Sequence, residues 1–345
     1  MFLTAASSNL SRLDRPYKLN FAVTYACQSR CRTCNIWRTK PHGELTGGEI
    51  EEFARKNGYF RWLALTGGEP FVRSDVVGVV KSFSENSKGL YMFTCPTNSL
   101  CNLETEVARV REILELGLPR AAITVSLDGH RELHDKTRGI PGNYDKALRM
   151  FKALKALSGE HKNLHVEFGY TLSAFNLGQF ARTFDAVRAE IPGIRHNDFH
   201  INLAQTSENY YNNEELELSP ERSAAAEELR YILGNREAEL DPIQIIEGAF
   251  IRRLLRFVET GSAGIRSRSL DASLFMDAQG NVFPSIMWNR KIGNVRECGY
   301  DLRKIWHGAE AEKVRSDLAK GKEPNCWTSC EAYQALIGNV PSLLR

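Results

Sequence analysis

Between residues 18 and 207, six short apolar, β-rich runs alternate with stretches of helical period, and no other feature limits the fold as tightly. The runs cover 19–26, 62–66, 90–94, 121–127, 164–172 and 199–203, and the helical patterns fall near 46–56, 74–84, 103–116, 144–157 and 177–190. Strands joined by crossovers of helix length pair in parallel, because only a long connection returns the chain to the same end of the sheet. Helix starts are marked too: Thr46 stands three before Glu49, a capping-box spacing, and Ser74 precedes Asp75. Six such units fall short of the eight that close a barrel. The expectation is an α/β chain built on an open, partial (β/α)6 barrel, with its ligands outside the carboxyl ends of the strands.

After the sixth run comes 206–218, polar and bearing Tyr210, Tyr211, Asn212 and Asn213. It suits a lid over the sheet mouth or an ordinary surface loop. Ser219-Pro220 and Asp241-Pro242 each open a helix with proline at the first position. In the second helix Ile246, Ala249, Phe250, Leu254, Phe257 and Val258 form an apolar stripe that suits core packing. Gly261-Ser262-Ala263-Gly264 reads as a linker, and beyond it 274–283 reads as a hairpin turning at Gln279-Gly280-Asn281. The expected division is an N-terminal extension (1–17), the partial barrel with its following helices (18–260), and a small hairpin-plus-helix appendage (261–345).

Chemistry enters at Cys27, Cys31 and Cys34, spaced C-x3-C-x2-C directly after the first strand. Zinc in a closed structural site takes four ligands, usually as two separated pairs, and no second pair lies nearby. Three thiolates in one loop instead suit an iron–sulfur cluster with one iron left open. Eight cysteines in 345 residues could signal disulfides, but that logic belongs to short secreted chains. The first 16 residues are too polar for a signal peptide, and no apolar run approaches the ~20 residues of a membrane span. A net charge of +3 argues for neither nucleic acid nor a membrane surface as partner. A reduced, cytoplasmic setting is expected, where clustered cysteines mean metal or catalysis.

The second strand ends in Thr66-Gly67-Gly68-Glu69-Pro70, where glycines let the backbone approach a ligand and a carboxylate can accept from an ammonium group. Together the cysteine triad and this stretch, over roughly residues 18 to 207, resemble the radical S-adenosylmethionine superfamily. The resemblance implies that Cys27, Cys31 and Cys34 ligate a 4Fe-4S cluster whose open iron takes the amino and carboxylate groups of S-adenosylmethionine. It implies that Gly67, Gly68 and Glu69 hold the methionine amino group. Ser126-Leu127-Asp128-Gly129 and the following stretch to Arg138 are similar to a block that serves the ribose and carboxylate, with Ser126, Asp128 and Arg138 as candidates. A helix cap and a surface ion pair are the plainer alternative. Asn98 sits where the family often has Thr-Asn-Gly, although here the sequence is Thr97-Asn98-Ser99. The residue before the third cysteine is usually aromatic in the family; here it is Thr33, and Trp37 is the candidate for adenine contact or simply for packing.

The C-terminal stretch resembles the auxiliary-cluster appendages called SPASM and twitch. Gly293 to Cys298 matches the Gly-x4-Cys element and Cys326 with Cys330 the close pair, but Ser285 stands where the first cysteine belongs. The resemblance implies a second iron–sulfur cluster on Cys298, Cys326 and Cys330. Zinc on these three with a histidine such as His307, or no metal, are the alternatives. Cys95, ending the third strand, is a candidate hydrogen-atom donor or a small buried hydrophobe. His130 and His134 are expected as exposed helix residues without metal.

Two functions of different class follow. One is a radical SAM enzyme that oxidises, epimerises or rearranges a small molecule or peptide, fed electrons by a flavodoxin or ferredoxin-type partner; the modest charge and the short stretch before Lys18 favour a small molecule. The other is a non-catalytic iron–sulfur or zinc protein of electron transfer or binding, which has no need of an S-adenosylmethionine pocket.

Overall fold

The computed structural model describes residues 4–5 and 12–339. Most of the expected N-terminal extension, residues 1–3 and 6–11, therefore lies outside the described residues. Six strands follow one another in chain order and in parallel: β1 (Lys18–Ala22), β2 (Trp62–Thr66), β3 (Met92–Thr97), β4 (Arg120–Ser126), β5 (Leu164–Leu172) and β6 (Phe199–Leu203). The crossovers carry α1 (Gly47–Lys56), α2 (Val76–Asn86), α3 (Leu103–Glu115), α4 (Arg131–Arg138), α5 (Asn143–Glu160) and α6 (Phe180–Glu190). The partial (β/α)6 barrel is thus present. The capping box of α1 forms as its spacing predicts, Thr46 and Glu49 satisfying each other's backbone amides.

Strand alternation sorts the side chains. Leu19, Phe21, Leu63, Leu65, Phe93 and Ile123 belong to the main apolar core beneath the helices. The inner face carries Lys18, Asn20, Thr94, Thr124, Glu167 and His200, an unusually polar set for a parallel sheet.

Several local expectations shift. The run 19–26 leaves the sheet at Ala22, and further on the Tyr25 amide donates to the Glu44 carboxylate at 2.7 Å. Residues 131–138 form a helix that the hydrophobic pattern alone does not announce, since only His134 and Thr137 on it are buried. After β6, α7 (Arg222–Gly234) begins at Glu221, whose carboxylate accepts from the amides of Ser223 and Ala224, rather than at Pro220. By contrast α8 (Pro242–Thr260) opens on Asp241 with proline at its first position.

The hairpin turns as expected, β7 (Ser273–Met276) to β8 (Asn281–Phe283), with Gly280 at φ +81°. A short β9 (Gly293–Asn294) completes a nine-stranded sheet ordered β6-β5-β4-β3-β2-β1-β7-β8-β9. Because β7 pairs in parallel with β1, the sheet runs unbroken across the boundary expected at Gly261. The chain ends in α9 (Leu302–Trp306), α10 (Ala309–Ala319) and α11 (Ser329–Ile337). The Trp327 indole just before α11 donates to the Phe250 carbonyl of α8 at 3.1 Å, and Tyr333 of α11 stacks on Trp62 at 6.1 Å. These contacts draw α11 and α8 across the inner face, where they wall off an interior chamber. No helix among the described residues is long and apolar enough to cross a membrane.

Candidate active site

The loop after β1 holds its three thiols at the carboxyl end of the sheet. Backbone bonds pin it on two sides: the amides of Arg30 and Arg32 donate to the carbonyls of Arg138 and Thr137, both at 2.9 Å, and Asn35 N–H donates to the Tyr211 carbonyl at 2.9 Å. Cys27, Cys31 and Cys34 line a single cavity of about 220 Å³ together with Gly67, Gly68 and Arg138. Asn98, Ser126, Glu69 and Trp37 line it too, so most of the residues expected from sequence meet in one place. Burial pushes the Cys27 thiol up to about 11 and the Cys34 thiol up to about 12, and raises Cys31 as well. Two donors reach the sulfurs: Asn98 Nδ2 lies 3.7 Å from Cys27 Sγ, and Arg138 Nη1 lies 3.8 Å from Cys31 Sγ.

The glycine pair is required by close approach. A Cβ at Gly67 would meet the Thr24 carbonyl oxygen at 2.3 Å, and one at Gly68 the Ala26 oxygen at 2.2 Å. Gly67 also sits at φ +128°. Glu69 also braces the end of β3: Oε1 accepts from the Phe71 amide at 3.1 Å and Oε2 from the Asn98 amide at 2.7 Å, while the residue lines the cavity. Burial first, and Glu106 second, push its carboxyl up to about 8.

Asp128 is turned into the wall. Its Oδ2 accepts from Arg138 Nε at 2.6 Å and its Oδ1 from the Thr171 amide at 2.9 Å. It acts on the cavity through Arg138, while Ser126 faces the cavity directly. His134 is buried, not exposed: its Nδ1 accepts from the Asp128 amide at 3.0 Å, and burial lowers the ring to about 4, so it is neutral. The reason is that α4 folds back onto the end of β4. Cys95 packs in the main core, where burial raises its thiol far above the ordinary value, and it also borders the interior chamber.

The loop 206–218 covers the cysteine loop. Tyr210 OH lies 2.5 Å from Thr66 Oγ1 and 3.0 Å from the Gly67 amide, and Asn213 Nδ2 donates to the Thr33 carbonyl at 2.8 Å. Cys326 and Cys330 pack on the same small apolar cluster as Cys27 and Cys34, beside Phe283, Ile286 and Met287. Cys298 is not brought to them. It lines a separate open cavity with Lys56, Asp301 and Lys304, and its Sγ contacts the Val295 carbonyl at 3.3 Å. His307 instead faces Asp14, Nε2 to Oδ1 3.3 Å. The three-thiol grouping expected at the C-terminus is therefore not assembled. Among the described residues no three Cys, His, Asp or Glu side chains converge as around one metal ion.

Sequence reading missed the chamber inside the barrel. It measures about 280 Å³ and shares Thr66, Pro96, Ser126, Thr171 and Asn202 with the cysteine cavity, so the two adjoin. Within it His200 Nδ1 lies 3.0 Å from Glu247 Oε1, and Tyr333 OH donates to Glu247 Oε2 at 2.5 Å. Burial opposes charge on His200, and Glu247 overrides it, raising the ring to about 9. Glu167 is held by Thr124 Oγ1 at 3.1 Å and His165 Nε2 at 3.2 Å. The signal was available: Lys18, Asn20, Glu167, His200 and Asn202 interrupt otherwise apolar strands at alternate positions.

The Radical SAM superfamily profile matches residues 21–176. An AdoMet-dependent heme synthase of Methanosarcina barkeri is 25% identical over 197 residues, covering 56% of this chain and 52% of that protein, so the chain spans about half the length of this relative. A pre-heme d1 synthase of Dinoroseobacter shibae is 23% identical over 349 residues, 92% of this chain and 79% of the relative. The solved structure of anSMEcpe with bound AdoMet superposes over 96% of this chain and 98% of that one, at TM-score 0.59 and 13% identity, which shows a shared fold.

Proposed function

We propose that this chain is a radical SAM enzyme, as its match to that superfamily over residues 21–176 supports, taking a hydrogen atom from a small molecule held in the interior chamber. Cys27, Cys31 and Cys34 would hold a 4Fe-4S cluster, and Gly67, Gly68, Glu69, Asn98, Ser126 and Arg138 would hold S-adenosylmethionine, with Asp128 acting through Arg138. The donor set suits such a cluster. Thiols buried this deeply keep their protons unless a metal replaces them, and three thiols lining one cavity suit a cluster that takes one thiolate per iron. Held by these cysteines in its reduced state, such a cluster would supply the electron for cleavage of the S-adenosylmethionine sulfonium, the source of a 5′-deoxyadenosyl radical able to remove a hydrogen atom.

The chain's own residues do the rest. Asn98 and Arg138 direct N–H groups at two of the sulfurs, which stabilises negative charge on them. The glycine pair keeps its wall free of side chains. Asp128 fixes the Arg138 guanidinium, and Trp37 offers a ring on the cavity wall. A second cluster would have to rest on Cys326 and Cys330 with ligands other than Cys298. The outcome for the substrate is oxidation, epimerisation or rearrangement, with electrons from a flavodoxin or ferredoxin-type protein.

One observation carries this reading: a cavity that joins three thiols to a bare glycine wall adjoins a chamber whose sheet face carries charged and amide side chains. An electron carrier has no use for that chamber. Anaerobic reconstitution with iron and sulfide, followed by S-adenosylmethionine and dithionite, should yield 5′-deoxyadenosine, and Cys27→Ala should abolish it. Reconstituted protein that never forms 5′-deoxyadenosine would refute the enzyme reading.

A further inference from the structure

The charged groups of the interior chamber do not cancel. His200 is matched by Glu247, Arg138 by Asp128, and Glu167 by His165. Lys18 is the exception. Its ammonium is buried at the amino end of β1, with no carboxylate of the described residues in ion-pair distance. Two of its three N–H groups are used, on the Cys330 carbonyl at 2.6 Å and Gln334 Oε1 at 3.0 Å, and the group lies 4.2 Å over the Trp62 ring. The acidic groups acting on it are the Cys330 thiol and, second, Glu331, which turns its Oε2 toward Ser269, Ser273 and Gln334 and leaves its Oε1 without a hydrogen bond. A buried cation without a countercharge is costly, and here it borders empty space.

Two further lining groups are unsatisfied. The amide oxygens Asn20 Oδ1 and Asn202 Oδ1 are buried and accept no hydrogen bond. Each such oxygen forgoes the bond it would make to water. The volume, about 280 Å³, lies at the small end of ligand sites.

We propose that the chamber takes a small carboxylic acid bearing hydroxyl or amino groups, its carboxylate on the Lys18 ammonium and its donors on the amide oxygens of Asn20 and Asn202. The inference deepens the reading of the chamber as the substrate's site and rests on it. It also sets the orientation. Lys18 stands at the amino end of the strands, while Asn202 borders the cysteine cavity. The acid end is therefore held deepest, and the donor-bearing carbons lie toward the thiols.

The test is isothermal titration of the anaerobically reconstituted, S-adenosylmethionine-loaded protein. The probes are D-glycerate, D-gluconate and L-homoserine, each beside its carboxamide. At least one acid should bind, with its amide at least about tenfold weaker, the loss of one charge-assisted hydrogen bond. Lys18→Met should remove that preference, and Asn202→Ala should weaken the acid while keeping the preference over the amide. The comparison of acid with amide on the unaltered protein needs no variant to fold. Failure of every acid to bind at roughly millimolar concentration, amides that bind as well as acids, or a preference that survives Lys18→Met would each overturn the assignment. 5′-Deoxyadenosine is read separately in the same samples. Lys18-dependent acid binding without S-adenosylmethionine cleavage would sink the enzyme reading alone, and cleavage without acid preference would sink this one alone.

Discussion

Arg138 and Asp128 form a 2.6 Å ion pair ten residues apart in sequence, with the carboxylate buried and the guanidinium reaching on to 3.8 Å from Cys31 Sγ. The acid at the end of β4 thereby sets the position of the cation that faces the sulfur. Side-chain exposures of 15% and 3% place the pair where loss of one partner strands the other. Asp128→Asn keeps the shape and removes the charge. It should cost about 3 kcal/mol of stability and weaken S-adenosylmethionine binding, checked by urea unfolding and by titration. A variant with unchanged stability and affinity would show that Asp128 does not hold Arg138.

Ser99 occupies the left-handed region at φ +61°, where a Cβ is strained and glycine is at ease. Its buried hydroxyl also makes no hydrogen bond. Ser99→Gly should therefore stabilise the protein by about 1 kcal/mol, measured as a raised urea midpoint at unchanged slope. A lower midpoint would mean that the serine is held by something its backbone angle does not reveal.

The His200–Glu247 pair gives a pH dependence of definite sign. The folded-state value, raised to about 9 by Glu247 against the effect of burial, lies above the ordinary 6.5. The folded protein thus holds its proton more tightly than the unfolded chain. The stabilisation is complete below about 6.5 and is lost as pH rises toward about 9. Unfolding free energy should fall over that interval, and His200→Gln should flatten the fall. An equally steep fall in the variant would assign the dependence elsewhere.

The legible parts of the sequence were those fixed by local rules. β2, β5 and β6 lie where their apolar runs predicted, and the Thr46 capping box and Asp241-Pro242 start are set within a few residues. The cysteine triad and glycine pair meet because both follow adjacent strands at the same end of a parallel sheet. Contacts made at long range were not legible. Spacing could not show that Cys298 would lie by Lys56 and not by Cys326, nor that β7 would extend the sheet beside β1. Nor could side-chain direction be read: Glu69 and Asp128 spend their oxygens on the backbone and on Arg138. His134 looked exposed because α4 carries few apolar residues, yet the helix docks by a hydrogen bond to Asp128. The interior chamber was hidden because its polar residues sit singly on separate strands, and only the sheet with α8 and α11 laid across it gathers them.

Tyr210 ties the covering loop to the glycine pair. Its hydroxyl lies 2.5 Å from Thr66 Oγ1, accepts from the Gly67 amide at 3.0 Å and lies 3.1 Å from the Gly67 carbonyl, so one oxygen joins the loop 206–218 to the glycine wall. The ring itself packs on Phe275 and Tyr211, at 5.3 and 4.7 Å, and Tyr210→Phe would leave those contacts in place. The substitution therefore isolates the hydroxyl. It should cost about 1 kcal/mol, with the loss concentrated in local opening, because Asn213 still holds the far end of the loop to the Thr33 carbonyl. Amide hydrogen exchange should speed up across 206–218 and at Gly67 and Gly68, while β5 and β6 keep their protection. Exchange that speeds up uniformly across the sheet would mean that the hydroxyl supports the whole fold; exchange that does not change would mean that the loop's packing and its other hydrogen bonds hold it without the hydroxyl.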